Sequence, residues 1–183
     1  MPHSNIITAN SEQEIWNRIA EQIQGKKDNK DYTAQTTIED VTINVDIDFH
    51  PESAEEGNAN GTTSFSAPLP DVKDFRFRLF KQNFKHNIRK LFGMQDVVVG
   101  NDELDQKFII QSNDEQKVKT ILANEQVSSW LLQLPVYVFE IRDLKIGANR
   151  EVELTLEIEG RIKEPETLKN IFQPFKAALP FLQ

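Results

Sequence analysis

The stretch Val97–Asp114, VVVGNDELDQKFIIQSND, constrains the fold more tightly than any other part of this sequence. Three β-branched residues lead into Gly100 and an acid-rich turn follows. Phe108-Ile109-Ile110 then resume an apolar run before Ser112-Asn113-Asp114-Glu115, which has the form of a helix capping box. The pattern predicts a strand, a tight corner, one helical turn, a second strand and a helix start at Ser112. Leu104 and Phe108, four residues apart, share one face of the helical turn and are expected to pin the corner to the core.

The other predicted elements arrange themselves around that corner. Ser11-Glu12-Gln13-Glu14 is a further capping box, and Ile15, Ile19 and Ile23, with Trp16 beside them, predict an amphipathic helix ending at Gly25. The run Lys26–Asp31 (KKDNKD) has no apolar residue. Residues 1–31 are therefore expected to form a helix on a charged linker, separate from a single domain at 32–183. Val41, Ile43, Val45, Ile47 and Phe49 alternate with polar residues, a half-buried strand stopped by Pro51. A polar loop at Glu52–Gly61 leads to a strand at Thr62–Ala67 and another carrying Phe75, Phe77 and Leu79. A helix carrying Phe84, Ile88 and Leu91 comes next.

Past the corner, one helix presents Val118, Ile121 and Leu122. A second starts at Asn124 and turns Val127, Trp130, Leu131 and Leu134 inward. Val136–Ile141 is apolar on both faces, as in a strand at the middle of a sheet. Gly147-Ala148-Asn149 turns the chain back into a last strand with Val152, Leu154, Leu156 and Ile158 on one face. Pro165 opens a final helix, and Pro174 inside it predicts a kink or a break. Without regular βαβ alternation the fold class is α+β. It is expected to be a mainly antiparallel sheet of about six strands with helices on one face, plus the N-terminal helix on its linker.

Charge and composition exclude several classes of function. The 183 residues carry a net charge of −8, which disfavours general nucleic-acid binding. The absence of cysteine removes disulfides and thiolate metal sites and suits a cytoplasmic protein. No apolar run is long enough to span a bilayer, and the first residues lack the regions of a secretory signal. Between Phe75 and Gln95, however, there are six bases (Arg76, Arg78, Lys81, Lys85, Arg89, Lys90) and no acid, leaving −14 on the rest of the chain. Bases interleaved with aromatics suit an anionic partner. The plainer expectation pairs Arg76 and Arg78 with acids such as Asp46, Asp48, Glu153 or Glu157 across the sheet.

Two acidic clusters bear on chemistry. Asp46, Asp48 and His50 project from one face of a strand, in the manner of a divalent-metal site. Alternate strand residues are about 6.6 Å apart, too far for all three to converge on one ion without a bulge or further ligands. Asp102, Glu103 and Asp105 offer paired carboxylates, but acids in a first helical turn also complement its dipole and bind its free N–H groups. No phosphate loop, nucleophile elbow or H-E-x-x-H motif is present.

Gly93, Gln95-Asp96, Gly100, Leu104-Asp105, Phe108 and Ser112-Asn113-Asp114 give the region Phe75–Gly160 a resemblance to a bacterial family of uncharacterised proteins, described as a domain of unknown function. Members share a basic strand and helix, a Gly-acid-x-x-apolar-Asp-x-x-Phe corner, a capped helix and a hairpin. In similar proteins membrane-spanning segments often precede this region, and this sequence shows none. The resemblance implies no activity, cofactor or catalytic residue. The sequence points to a soluble binding or scaffolding domain without cofactor. It would engage a protein or an anionic partner and self-associate through its N- or C-terminal helix. The alternative is a metal-dependent hydrolase using Asp46, Asp48 and His50.

Overall fold

The computed structural model describes residues 5–25, 31–38, 41–48, 61–72, 74–82, 93–146 and 149–182. Among these residues nine strands form one open, mixed sheet: β1 (Asn5–Ile7), β2 (Tyr32–Ile38), β3 (Val41–Asp48), β4 (Thr62–Pro68), β5 (Phe77–Lys81), β6 (Gln95–Asp96), β7 (Phe108–Ser112), β8 (Val136–Ile146) and β9 (Asn149–Glu159). Their order is β1-β2-β3-β4-β9-β8-β5-β7-β6. β1 runs parallel to β2, and every other neighbouring pair is antiparallel. The described helices are α1 (Glu12–Gly25), α2 (Asp102–Lys107), α3 (Glu115–Ala123), α4 (Glu125–Gln133) and α5 (Pro165–Ala178), followed by a 3-10 turn at Leu179–Phe181. The helix predicted to carry Phe84, Ile88 and Leu91, most of the charged linker, and the polar loop before Gly61 fall outside the described residues.

Strand alternation writes itself across the sheet as rows. Ala34, Val45, Phe65, Leu156, Phe139, Leu79 and Ile110 stand opposite one another in turn on seven consecutive strands, and all are buried. The next row, one residue along, is polar throughout: Gln35, Asn44, Ser66, Thr155, Glu140, Arg78 and Gln111. Because successive side chains point to opposite faces, these rows give the sheet an apolar face and a polar one. The apolar face receives α1 and α5. Trp16 meets Phe65 edge-on at 5.8 Å and Phe172 at 5.3 Å, and Phe65 lies 5.9 Å from Phe172. Val118, Ile121, Leu122, Val127 and Leu131 of α3 and α4 belong to the same core.

The sheet is larger than expected, with nine strands among the described residues instead of about six. β1 is only three residues long, and β2 buries Ala34 and Thr36 between Tyr32 and Ile38, so its inward face carries little hydrophobic signal. The packing of α1 also departs from the expectation of a separate helix. Ile15, Trp16, Ile19 and Ile23 are at most 3% exposed and share one core cluster with the sheet, so that core does not divide at residue 31. Self-association through the apolar faces of the terminal helices is likewise not what the packing offers, since those faces of α1 and α5 are buried within the chain. Helix α5 runs unbroken through Pro174.

Local signals at the helix starts fare unevenly. Ser11 Oγ accepts from the Glu14 N–H at 3.2 Å, while Glu14 reaches back to the N–H of Asn10. Asn124 caps α4 by accepting from Gln126 and Val127. Helix α3 starts from Asp114, whose carboxylate accepts from the Lys117 N–H at 2.9 Å, and not from Ser112. Ser112 is the last residue of β7, and its hydroxyl accepts from the Asp114 N–H at 3.0 Å.

Candidate functional site

Three groups of residues could carry function: the acidic corner, the charged polar face, and a groove beside α5. At the corner, Asn101 caps α2 by accepting from the Glu103 and Leu104 N–H groups. The Asp105 carboxylate folds back to accept from the Val99 and Gly100 N–H groups, each at 3.0 Å. Gly100 takes φ of 82°, which favours glycine. Leu104 and Phe108 are both buried, but Phe108 is the first residue of β7 and lies outside the helical turn whose face it was expected to share. The corner is therefore held by side chain to backbone bonds, and Asp105 serves the turn.

On the polar face, Asp46 and Asp48 point the same way from β3, with Thr33 Oγ1 donating to Asp46 at 3.4 Å. Burial raises the Asp46 pKa, Thr33 opposes the rise, and Asp48, Asp31 and Glu157 add to it. His50 lies outside the described residues, and among those described no group of three His, Asp or Glu is placed to hold a metal ion.

The basic residues find acids of the same chain. Arg78 Nε lies 3.0 Å from Glu140 Oε2, although it is not aligned as a hydrogen bond. Arg76 binds Asp143 at 2.6 Å, and Lys81 stands 3.9 Å from Glu159. Arg142 joins Glu153 at 2.6 Å and Glu157 at 3.4 Å. The acids expected opposite Arg76 and Arg78 were Asp46, Asp48, Glu153 or Glu157. They differ because β5 pairs with β8, and neither β3 nor β9 is its neighbour. Burial raises the pKa of Glu140 against the pull of Arg78 and Arg142. Lys85, Arg89 and Lys90 lie outside the described residues.

The groove has no counterpart in the sequence expectations. A cavity of about 490 Å³ lies between the β4–β5 connection and the C-terminal turn, lined by Val41, Thr42, Pro68, Leu69, Pro70, Asp71, Val72, Leu179 and Leu182. A smaller one of about 160 Å³, reaching Ile38, Ile43, Phe172, Lys176 and Pro180, shares Val41 and Leu179 with it. Leu69 is fixed by donating its N–H to Val152 at 2.7 Å, and Leu182 by donating to Leu179 at 3.0 Å. The floor is buried and aliphatic, while Pro68, Pro70 and Pro180 stand exposed at the rim. Lys176 donates to Glu12 at 3.2 Å beside the smaller cavity, and Asp71 is exposed beside the larger. Pro68 and Pro70 were legible as a strand stop. That they would meet Leu179 and Leu182, more than a hundred residues away, was not.

No described helix is long and apolar enough to cross a membrane. No family model matches this chain, and no curated protein does. The fold is similar to the crystal structure of the mycobacterial trehalose monomycolate transport factor A, TtfA, with a TM-score of 0.55 over 96% of this chain and 96% of that one, at 6% sequence identity. At that identity the likeness is one of fold.

Proposed function

We propose that this chain is a binding domain, and that it receives an apolar segment of a protein partner in the groove between Leu69–Val72 and Leu179–Leu182. The groove itself carries this reading. It is concave, aliphatic at its floor and within the size range of binding pockets. Its prolines hold the rim in one conformation, which lowers the ordering cost of association. Among the side chains otherwise suited to chemistry, Asp105 is engaged by the corner, and Arg76, Arg78 and Lys81 lie beside acids of the sheet. That engagement also weakens the case for an anionic partner at the described bases. The description of TtfA as a transport factor accords with a fold that works by binding.

The test is site-specific photocrosslinking in the host. A crosslinker at Thr42 or Pro180 should capture one discrete protein, and Val41→Arg, which places a charge at the half-buried wall, should abolish the capture. The same crosslinker at Ser66 on the polar face should capture nothing. Equal capture from Ser66, or capture unaffected by Val41→Arg, would overturn the reading.

A further inference from the structure

The large apolar side chains left exposed among the described residues are Ile6, 75% exposed, and Val98, 72% exposed. They stand at opposite ends of the sheet, one on β1 and one just after β6. Along the β6 edge, Gln95 faces Ser112, Asp96 faces Gln111, and the Val97 N–H donates to Ile110 at 2.8 Å. Val98 lies just past the strand, and antiparallel alternation continued through Val97 would turn its N–H and C=O outward; among the described residues neither has a hydrogen-bond partner. Lysine and proline, which commonly guard sheet edges, are absent from Gln95–Asn101.

We propose that this edge joins two copies of the chain, paired antiparallel about a two-fold axis through Val98. The sequence is complementary to itself in that register. Val98 meets Val98, Val97 meets Val99, Gln95 meets Asn101, and Asp96, the one charged residue of the segment, meets Gly100. β-branched residues face one another and no like charges are opposed. The β1 edge lacks this symmetry, because centring on Ile6 sets Asn5 against Ile7. The pairing is isologous, so it closes at two copies and does not extend into a filament. It is also short, since the Gly100 N–H is already held by Asp105. The interface therefore falls below the standard size and the dimer is concentration-dependent. The groove lies in the other half of the sheet, among β2, β3 and β4, and stays open in both copies. The dimer thus presents two grooves to a repeated partner.

The full chain contains no cysteine, which allows a direct test. In the proposed register the two Val98 Cα atoms lie about 5.5 Å apart, within the span of about 4.4–6.8 Å that a disulfide bridges. Mild oxidation should convert Val98→Cys to a covalent dimer and leave Ile6→Cys monomeric. Sedimentation of the unaltered chain should show a monomer–dimer equilibrium, weakened about tenfold or more by Val98→Lys with the urea midpoint unchanged. A chain monomeric at every concentration, a dimer indifferent to Val98→Lys, or Ile6→Cys linking as readily as Val98→Cys would each overturn the proposal.

Discussion

At Asp105 one carboxylate accepts from two consecutive backbone amides, Val99 and Gly100, while Asp102, the first residue of α2, acts on the same turn through its charge at the helix start. The three side chains of this corner should therefore rank in stability. Phe108→Ala leaves a cavity under the corner and should cost about 3–5 kcal/mol. Asp105→Ala strands two N–H groups and should cost about 1.5–3 kcal/mol, and Asp102→Ala about 0.3–1 kcal/mol. Urea midpoints with an unchanged slope would measure all three. Asp143 gives a pH-dependent counterpart. Arg150, and then Arg76, bind its carboxylate and lower its pKa to about 2 from 3.8. A carboxylate whose pKa is depressed by folding stabilises the fold above its ordinary value and loses that contribution as pH falls toward the depressed one. The urea midpoint should fall between those two values, and Asp143→Asn should flatten that part of the profile.

Among the elements, legibility followed the chemistry of the inward face. β3 and β9 each set aliphatic residues against polar ones, so alternation alone predicts them. β2 follows the same alternation but places Ala34 and Thr36 inward, and the expected sheet lost a strand there. At α1 the helix was legible from Ser11 and the isoleucines, but its destination was not. KKDNKD suggested a free joint, whereas Trp16 packs against both Phe65 and Phe172, partners 49 and 156 residues further along the sequence. Deleting residues 1–30 should then abolish the cooperative urea transition, and Trp16→Ala should cost about 3–5 kcal/mol. A truncated chain that unfolds with the parent's midpoint would show the indole to be dispensable.

For the molecule as a whole, strand order was the least legible property, because pairing joins segments whose sequences carry no mark of one another. The charges of β5 suggested acidic neighbours, but only the structure shows that Glu140 of β8 stands opposite Arg78 and that Glu153 and Glu157 serve Arg142. The groove is of the same kind, built where a proline-rich connection meets the end of the chain. The sheet order has a further consequence during synthesis. β9 leaves the ribosome after the other eight described strands, yet it lies in the interior of the sheet, between β4 and β8. Until it arrives, β1–β4 and the strands around β5 are two partial sheets, each with an interior edge bare. Thr62 must wait for Glu159 before that seam can close. Contacts so distant in sequence slow folding and prolong the exposure of strand edges. The newborn chain is therefore most open to misassociation at the middle of its sheet, and the arrival of β9 ends that hazard.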